Sequence, residues 1–297
     1  MSRRGLTLVE TLVVMSVVGL LLSLAAPVVQ RVRGAADRAG CLNHLRQMGT
    51  ACHLFHNDYG RFPPVLPRTP TDPRPNHHHS RFVPLLPYLD HRSLYEQSVR
   101  ACALDGNPMN NPPHVAFAQP IRIFTCPTDP RLLRPQTDWL GVTAAFTSYV
   151  AIAGVSASST RPGMQGAFGG VPGCKYTDIH DGGSNTIMVG ERPPPANLQA
   201  GWWYPGFYMK GEGNRGPNTF MPLPPLTMHY EPCVVRTVFG PGRLDNPCDR
   251  LHLWSLHGGG ANFLFADGSA RWLDYSAEPL IPALATINGG EPVVVPV

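Results

Sequence analysis

Between Leu6 and Val29 almost every position is apolar, with one charge at Glu10 and two arginines, Arg3 and Arg4, just ahead of the run. A helix that is apolar all round has no face for water, so this one belongs in lipid or in the core of an assembly. Its 24 residues would span about 36 Å, more than a hydrocarbon core of about 30 Å. Past Val29 the pattern changes. Leu42, Leu45, Met48, Cys52, Phe55 and Tyr59 recur at three- and four-residue steps, while Arg38, Asn43, Arg46, Gln47 and Asn57 fill the other faces. That is an amphipathic continuation of the same helix, stopped by Gly60 and Pro63-Pro64. Leu6 to Tyr59 then makes a single spine of about 80 Å, with Pro27 expected to bend it.

Beyond residue 60 the apolar runs are short and bounded by turn residues. Ile121–Phe124, Ser148–Ala153 and Thr186–Glu191 read as strands, and Leu85–Leu89 with Ser93–Tyr95 as a short packed helix or turn. Trp202-Trp203-Tyr204 reads as strand and core. Arg68–Ser80, including His77-His78-His79, and Asn107–Pro113 read as loops, and Asp178–Asn185 as a tight polar turn. The sharpest signal is Ala261–Ala266 and Ser269–Leu273 flanking Asp267-Gly268, which predicts a hairpin with a two-residue type I′ turn. A long helix followed only by short strands and hairpins predicts an α+β fold. In it the helix packs on an antiparallel sheet decorated by loop insertions.

Composition refines this picture. Gly and Pro make up 30 and 33 of 297 residues, a loop-rich but folded balance. The formal charge of +4 is not gathered into a basic stripe, so nucleic-acid binding is not expected. Gly163–Gly173 lacks the GxGxxG pattern and a following helix, which argues against nucleotide binding. Seven cysteines allow at most three bridges. Cys233 and Cys248 enclose a turn-rich loop whose closure would stabilise the fold by about 3 kcal/mol. Cys41 and Cys126 form a second candidate pair, tying the helix to the globular part. For each pair the alternative is two buried thiols. No Cys-x-x-Cys occurs, so no structural zinc site is expected.

Gly5-Leu6-Thr7-Leu8-Val9-Glu10 resembles the cleavage and methylation signature of type IV prepilins and type II secretion pseudopilins. The resemblance implies a leader at residues 1–5, cut by prepilin peptidase between Gly5 and Leu6, with Leu6 then N-methylated. It implies a transmembrane or filament-core helix at 6–29, its amphipathic continuation at 30–60 and a pilin-like head at 61–297. Glu10, as the fifth mature residue, would pair with the Leu6 amine of a neighbouring subunit during assembly. Tyr59-Gly60-Arg61-Phe62-Pro63 is also similar to the segment that leaves the pseudopilin helix.

At the other end, His257 and Asp267-Gly268 are separated by nine residues. This resembles the H-X9-DG domain of a large bacterial prepilin-like family of undefined role. Members carry segments like Cys126-Pro127-Thr128-Asp129, with Thr128 in place of the usual serine, and like Asp181-Gly182-Gly183-Ser184-Asn185-Thr186 followed by Glu191.

Catalysis is not expected. His257, Asp267 and Ser269 are the residue types of a hydrolase triad, but Ser269 has no strained elbow and no G-x-S-x-G is present. No cofactor is expected either. The alternative is calcium, for which Asp178, Asp181 and Asp267, with Asn185 and Glu191 nearby, supply hard oxygen donors. His257 is expected to be structural, folding back over the terminal hairpin. The functional expectation is a non-enzymatic subunit of a secretion pseudopilus or type IV-like filament. Its partners would be prepilin peptidase, other pilin-like subunits and inner-membrane assembly machinery. It would cross the bacterial inner membrane once with a periplasmic head, and reach the cell surface when assembled. The alternative function is a singly anchored exported domain that binds calcium or glycan without assembling.

Overall fold

The computed structural model describes residues 8–63, 79–138, 141–154, 165–169, 173–205, 229–230, 233–234 and 237–290. Helix α1, Leu8–Tyr59, continues through Pro27 and extends for 52 residues, about 78 Å. Its large apolar side chains from Leu8 to Val32 are exposed, whereas Cys41, Leu45, Met48, Cys52 and Phe55 are buried. One helix thus has two environments. The first half offers apolar surface on every side, and the second half carries a stripe that the head covers. Tyr59, expected to close that stripe, is 48% exposed and packs its ring at a tilt against Phe55 at the rim. Gly60 (φ 68°) ends the helix, and its N–H bonds to the His56 carbonyl.

After α1 come α2 (Arg92–Leu104) and the short strands β1 (Gln136–Thr137), β2 (Thr143–Ala144), β3 (Tyr149–Ala151) and β4 (Ile187–Glu191). They are followed by β5 (His229–Tyr230), β6 (Cys233–Val234), β7 (Gly260–Phe265), β8 (Ala270–Asp274) and a single helical turn, α3 (Ile281–Leu284). The main sheet has the order β3-β4-β7-β8 and is antiparallel throughout. The fold is α+β, as the pattern predicts. Ile121–Phe124, expected as a strand, is instead a 3-10 turn over Arg122–Phe124. An apolar run of four residues carries no periodicity long enough to separate the two.

Strand β7 is buried on both faces. Asn262, Leu264 and Ala266 alternate with Ala261, Phe263 and Phe265. Leu264 and Ala266 join the core under α1, with Met48, Cys52, Phe55 and Trp202 to Tyr204. Ala261, Phe263 and Phe265 join a second core with Phe239, Leu253, Ile281 and Leu284. The sheet therefore lies between the helix and the carboxyl-terminal segment. Gly49 lets α1 approach it tightly: a Cβ there would lie 2.7 Å from Leu264 Cδ1 and 3.1 Å from the Gly268 carbonyl oxygen. Cys233 and Cys248 form a disulfide, the first of the two candidate pairs.

Candidate functional site

Cys41 on α1, Cys126 after the Arg122–Phe124 turn, Glu191 at the end of β4 and His257 ahead of β7 converge on one buried point. Their ligand-type atoms all lie within 4.8 Å of one another. Cys41 and Cys126 meet as expected, but as free thiols with the sulfurs 2.7 Å apart. His257 Nε2 sits 3.2 Å from Cys41 Sγ, 3.4 Å from Cys126 Sγ and 3.7 Å from Glu191 Oε1.

Neighbouring strands hold this group. Asn262, on the face of β7 that looks toward α1, donates its backbone N–H to Glu191 Oε2 at 2.7 Å and its side-chain amide to both carboxylate oxygens. The Tyr149 hydroxyl is buried with no hydrogen-bond partner of regular geometry, and it faces the Cys41 sulfur. Ser255 braces the His257 loop, accepting from its N–H and donating to the Gly260 carbonyl.

The electrostatics follow from burial and mutual contact. Burial pushes Glu191 up to about 7, reinforced by the charge on Cys126 and opposed by His257 and Asn262. The Cys41 thiol donates to Cys126 and draws it down, against burial and with help from His257, while Cys41 as donor is pushed up. Burial works against a protonated His257, but the hydrogen bond it donates to the Cys126 sulfur and the charges of Glu191 and Cys126 outweigh it and raise the imidazole. The site favours two thiol or thiolate sulfurs, an imidazole and a carboxylate in mutual contact, away from water.

A second group, His79, Cys102 and His114, also gathers three ligand-type residues. There His114 is committed elsewhere: Nδ1 lies 2.9 Å from the Tyr204 hydroxyl and Nε2 2.7 Å from the Asp105 carbonyl oxygen. With both ring nitrogens engaged it cannot also coordinate.

The residues matched to family motifs divide between the two ends of β7. Glu191 and His257 sit at the cluster. Asp267 and Gly268 dock at the far end, against Asp181–Thr186: the Asp267 N–H bonds to Gly183 O, the Ala266 N–H to Thr186 O and Arg271 to Ser184 O. His257 lies over the hairpin with its ring 6.4 Å from Trp272 on β8, but it does not reach the Asp267-Gly268 turn. The reason is geometric. An extended β7 is about 20 Å long, so nine residues carry the chain from one end of the strand to the other. That length matches about 18 Å of helix between Cys41, beside His257, and His53, beside Gly268. The spacing measures one strand laid along α1. It also separates His257 from Asp267 and Ser269, so no triad forms.

The turn differs from type I′ as well. Among the described residues only Asp90 and Leu198 have positive φ without being glycine, so Asp267 does not. The Gly268 N–H bonds to Phe265 O, the Phe265 N–H to Ser269 O, and Gly268 has φ 83°. This is a three-residue loop, a type I turn followed by a left-handed glycine. Gly268→Ala should cost about 1–2 kcal/mol, read as a lower denaturant midpoint with an unchanged m-value.

The calcium candidates do not gather among the described residues. Asp178 accepts from the Lys175 N–H, Asp181 from the N–H groups of Gly289 and Gly290, and Asp267 from the Ser269 N–H and Arg271. Asp178 and Asp267 secure their own turns, and Asp181 ties its turn to the Gly289-Gly290 segment. Gly5 and Leu6 lie outside the described residues, and Glu10 occupies the first turn of α1. Asn262 is not among the residues expected at the site from the sequence. Its signal was a polar residue in the middle of an apolar strand, on the face turned to the helix.

Residues 1–26 match the family model N_methyl, "Prokaryotic N-terminal methylation motif". Residues 30–280 match SBP_bac_10, "Protein of unknown function (DUF1559)". Comparison with curated proteins and with solved structures gave no match. With most of its length matched, the chain belongs to the DUF1559 family, and its amino terminus carries the methylation motif of a type IV pilin-like substrate of prepilin peptidase.

Proposed function

We propose that this protein is a non-catalytic pilin-like subunit, cut between Gly5 and Leu6 and assembled into a secretion pseudopilus or short type IV-like filament. One observation carries the reading. A methylation motif leads directly into a helix whose first half exposes apolar side chains on every face and whose second half is buried in a head. A first half of that kind needs lipid before assembly and neighbouring helices after it. The bound head keeps the helix on the molecule while subunits add. The Cys233–Cys248 disulfide supports a head on the oxidising, periplasmic side of the inner membrane. The separation of His257 from Asp267 and Ser269 supports the absence of a hydrolytic role.

Mass spectrometry of the amino terminus of membrane-purified protein tests the first step. The expected species begins at N-methylated Leu6. Recovery of uncut chain with Gly5 retained, in cells with active prepilin peptidase, would overturn the reading.

A further inference from the structure

We propose that Cys41, Cys126, His257 and Glu191 bind a structural zinc ion that staples the helical stalk to the head. The four side chains supply two sulfurs, an imidazole nitrogen and a carboxylate oxygen, the donors that make closed tetrahedral zinc sites. All four are buried, so no position is left open for water, as a structural rather than a catalytic ion requires. They come from α1, the segment after Phe124, β4 and the approach to β7, so a single ion would fasten four segments up to 216 residues apart.

The surroundings point the same way. Metal-ligating side chains are held by outer hydrogen bonds that fix their orientation. Asn262 does this for Glu191 with its backbone N–H and side-chain amide. The buried Tyr149 hydroxyl is placed to donate to the Cys41 sulfur once that sulfur is a thiolate. Coordination at zinc–sulfur distances of about 2.3 Å sets the two sulfurs about 3.8 Å apart, so binding would widen the 2.7 Å Cys41–Cys126 separation by about 1 Å. The competing outcome is a Cys41–Cys126 disulfide. It would discard both sulfurs as partners and leave His257 and Glu191 facing each other at 3.7 Å, beyond hydrogen-bonding reach. Binding Zn²⁺ releases the thiol protons to solvent and involves no oxidant. The bound ion would also protect both thiolates in an oxidising compartment.

The test uses the full chain, purified from membranes in detergent after growth with zinc, and it reads the unassembled protein. Elemental analysis should find about one zinc per chain. Cys126→Ser and His257→Ala should remove it, and Cys102→Ser should retain it. Asn262→Ala, which keeps all four ligands, should weaken zinc about tenfold or more in chelator competition. Replacing zinc with cobalt should give thiolate charge-transfer bands and the strong visible bands of a tetrahedral site. Wild-type protein without transition metal, or with Cys41 and Cys126 joined in one disulfide-linked peptide, would overturn the proposal. So would zinc that survives Cys126→Ser.

Discussion

Glu10→Ala should abolish entry of the subunit into filament while leaving its membrane insertion and the melting of its head unchanged. Cleavage after Gly5 would leave a positive amine on Leu6, and assembly would bring that amine into an apolar bundle of helices. A carboxylate from the adjoining subunit would compensate it there. Removing one partner of a buried ion pair costs roughly 3–5 kcal/mol, which at about 1.4 kcal/mol per decade is a loss of at least about a hundredfold in incorporation. Glu10 lies in the exposed first turn of α1, far along the helix from the buried stripe that begins at Cys41. The head should not sense the substitution. Quantifying wild-type and variant subunit in sheared filament and membrane fractions reads the effect. Equal incorporation of Glu10→Ala would defeat the subunit reading and favour a singly anchored domain.

The second large effect is expected at the seam between stalk and sheet. Gly49→Leu should lower head stability by about 3 kcal/mol, at the upper end for overpacking. A Cβ at this position already lies 2.7 Å from Leu264 Cδ1, 3.1 Å from Gly268 O and 3.2 Å from Gly268 Cα. Leu264 is fully buried, and the Gly268 atoms belong to a turn pinned to Gly183 and Thr186 through its neighbours, so neither can retreat cheaply. The better helix propensity of leucine returns less than about 1 kcal/mol. For a head of this size the change corresponds to a fall of about 10 °C in melting temperature. Gly34→Leu is the matched control. Nothing lies within 4 Å of its Cβ position, and its melting temperature should equal that of the wild type. If the two variants melted alike, the close packing of Gly49 on β7 and β8 would be wrong.

The sequence by itself determined the features that depend on local spacing. A nearly continuous apolar run from Leu6 to Val29, broken by one charge at Glu10, can satisfy its backbone only as a helix in lipid or among other helices. The three- and four-residue steps from Leu45 to Phe55 can be buried only on one side, which made the stalk and its covered stripe legible. The alternation around Asp267-Gly268 likewise gave the β7–β8 hairpin. Turn type was beyond it, because Asp-Gly suits both a type I′ turn and a type I turn closed by a left-handed glycine. Only the register, with Leu264 paired to Ala270 and three residues in the loop, separates the two.

The tertiary structure alone decided what meets at the candidate site. Cys41 and Cys126 could be suspected of pairing, but no spacing rule places Glu191 and His257 beside them, because the four arrive from separate elements. Their meeting depends on β4 pairing with β7 in the register that sets Gly190 against Phe263, and so Glu191 beside Asn262. It depends equally on β7 lying along α1 so that His257 reaches Cys41. The nine residues between His257 and Asp267 were visible in the sequence as a pattern. That they span a strand, and hold a buried cluster at one end and a docked turn at the other, follows from packing that strand between a helix and a second core.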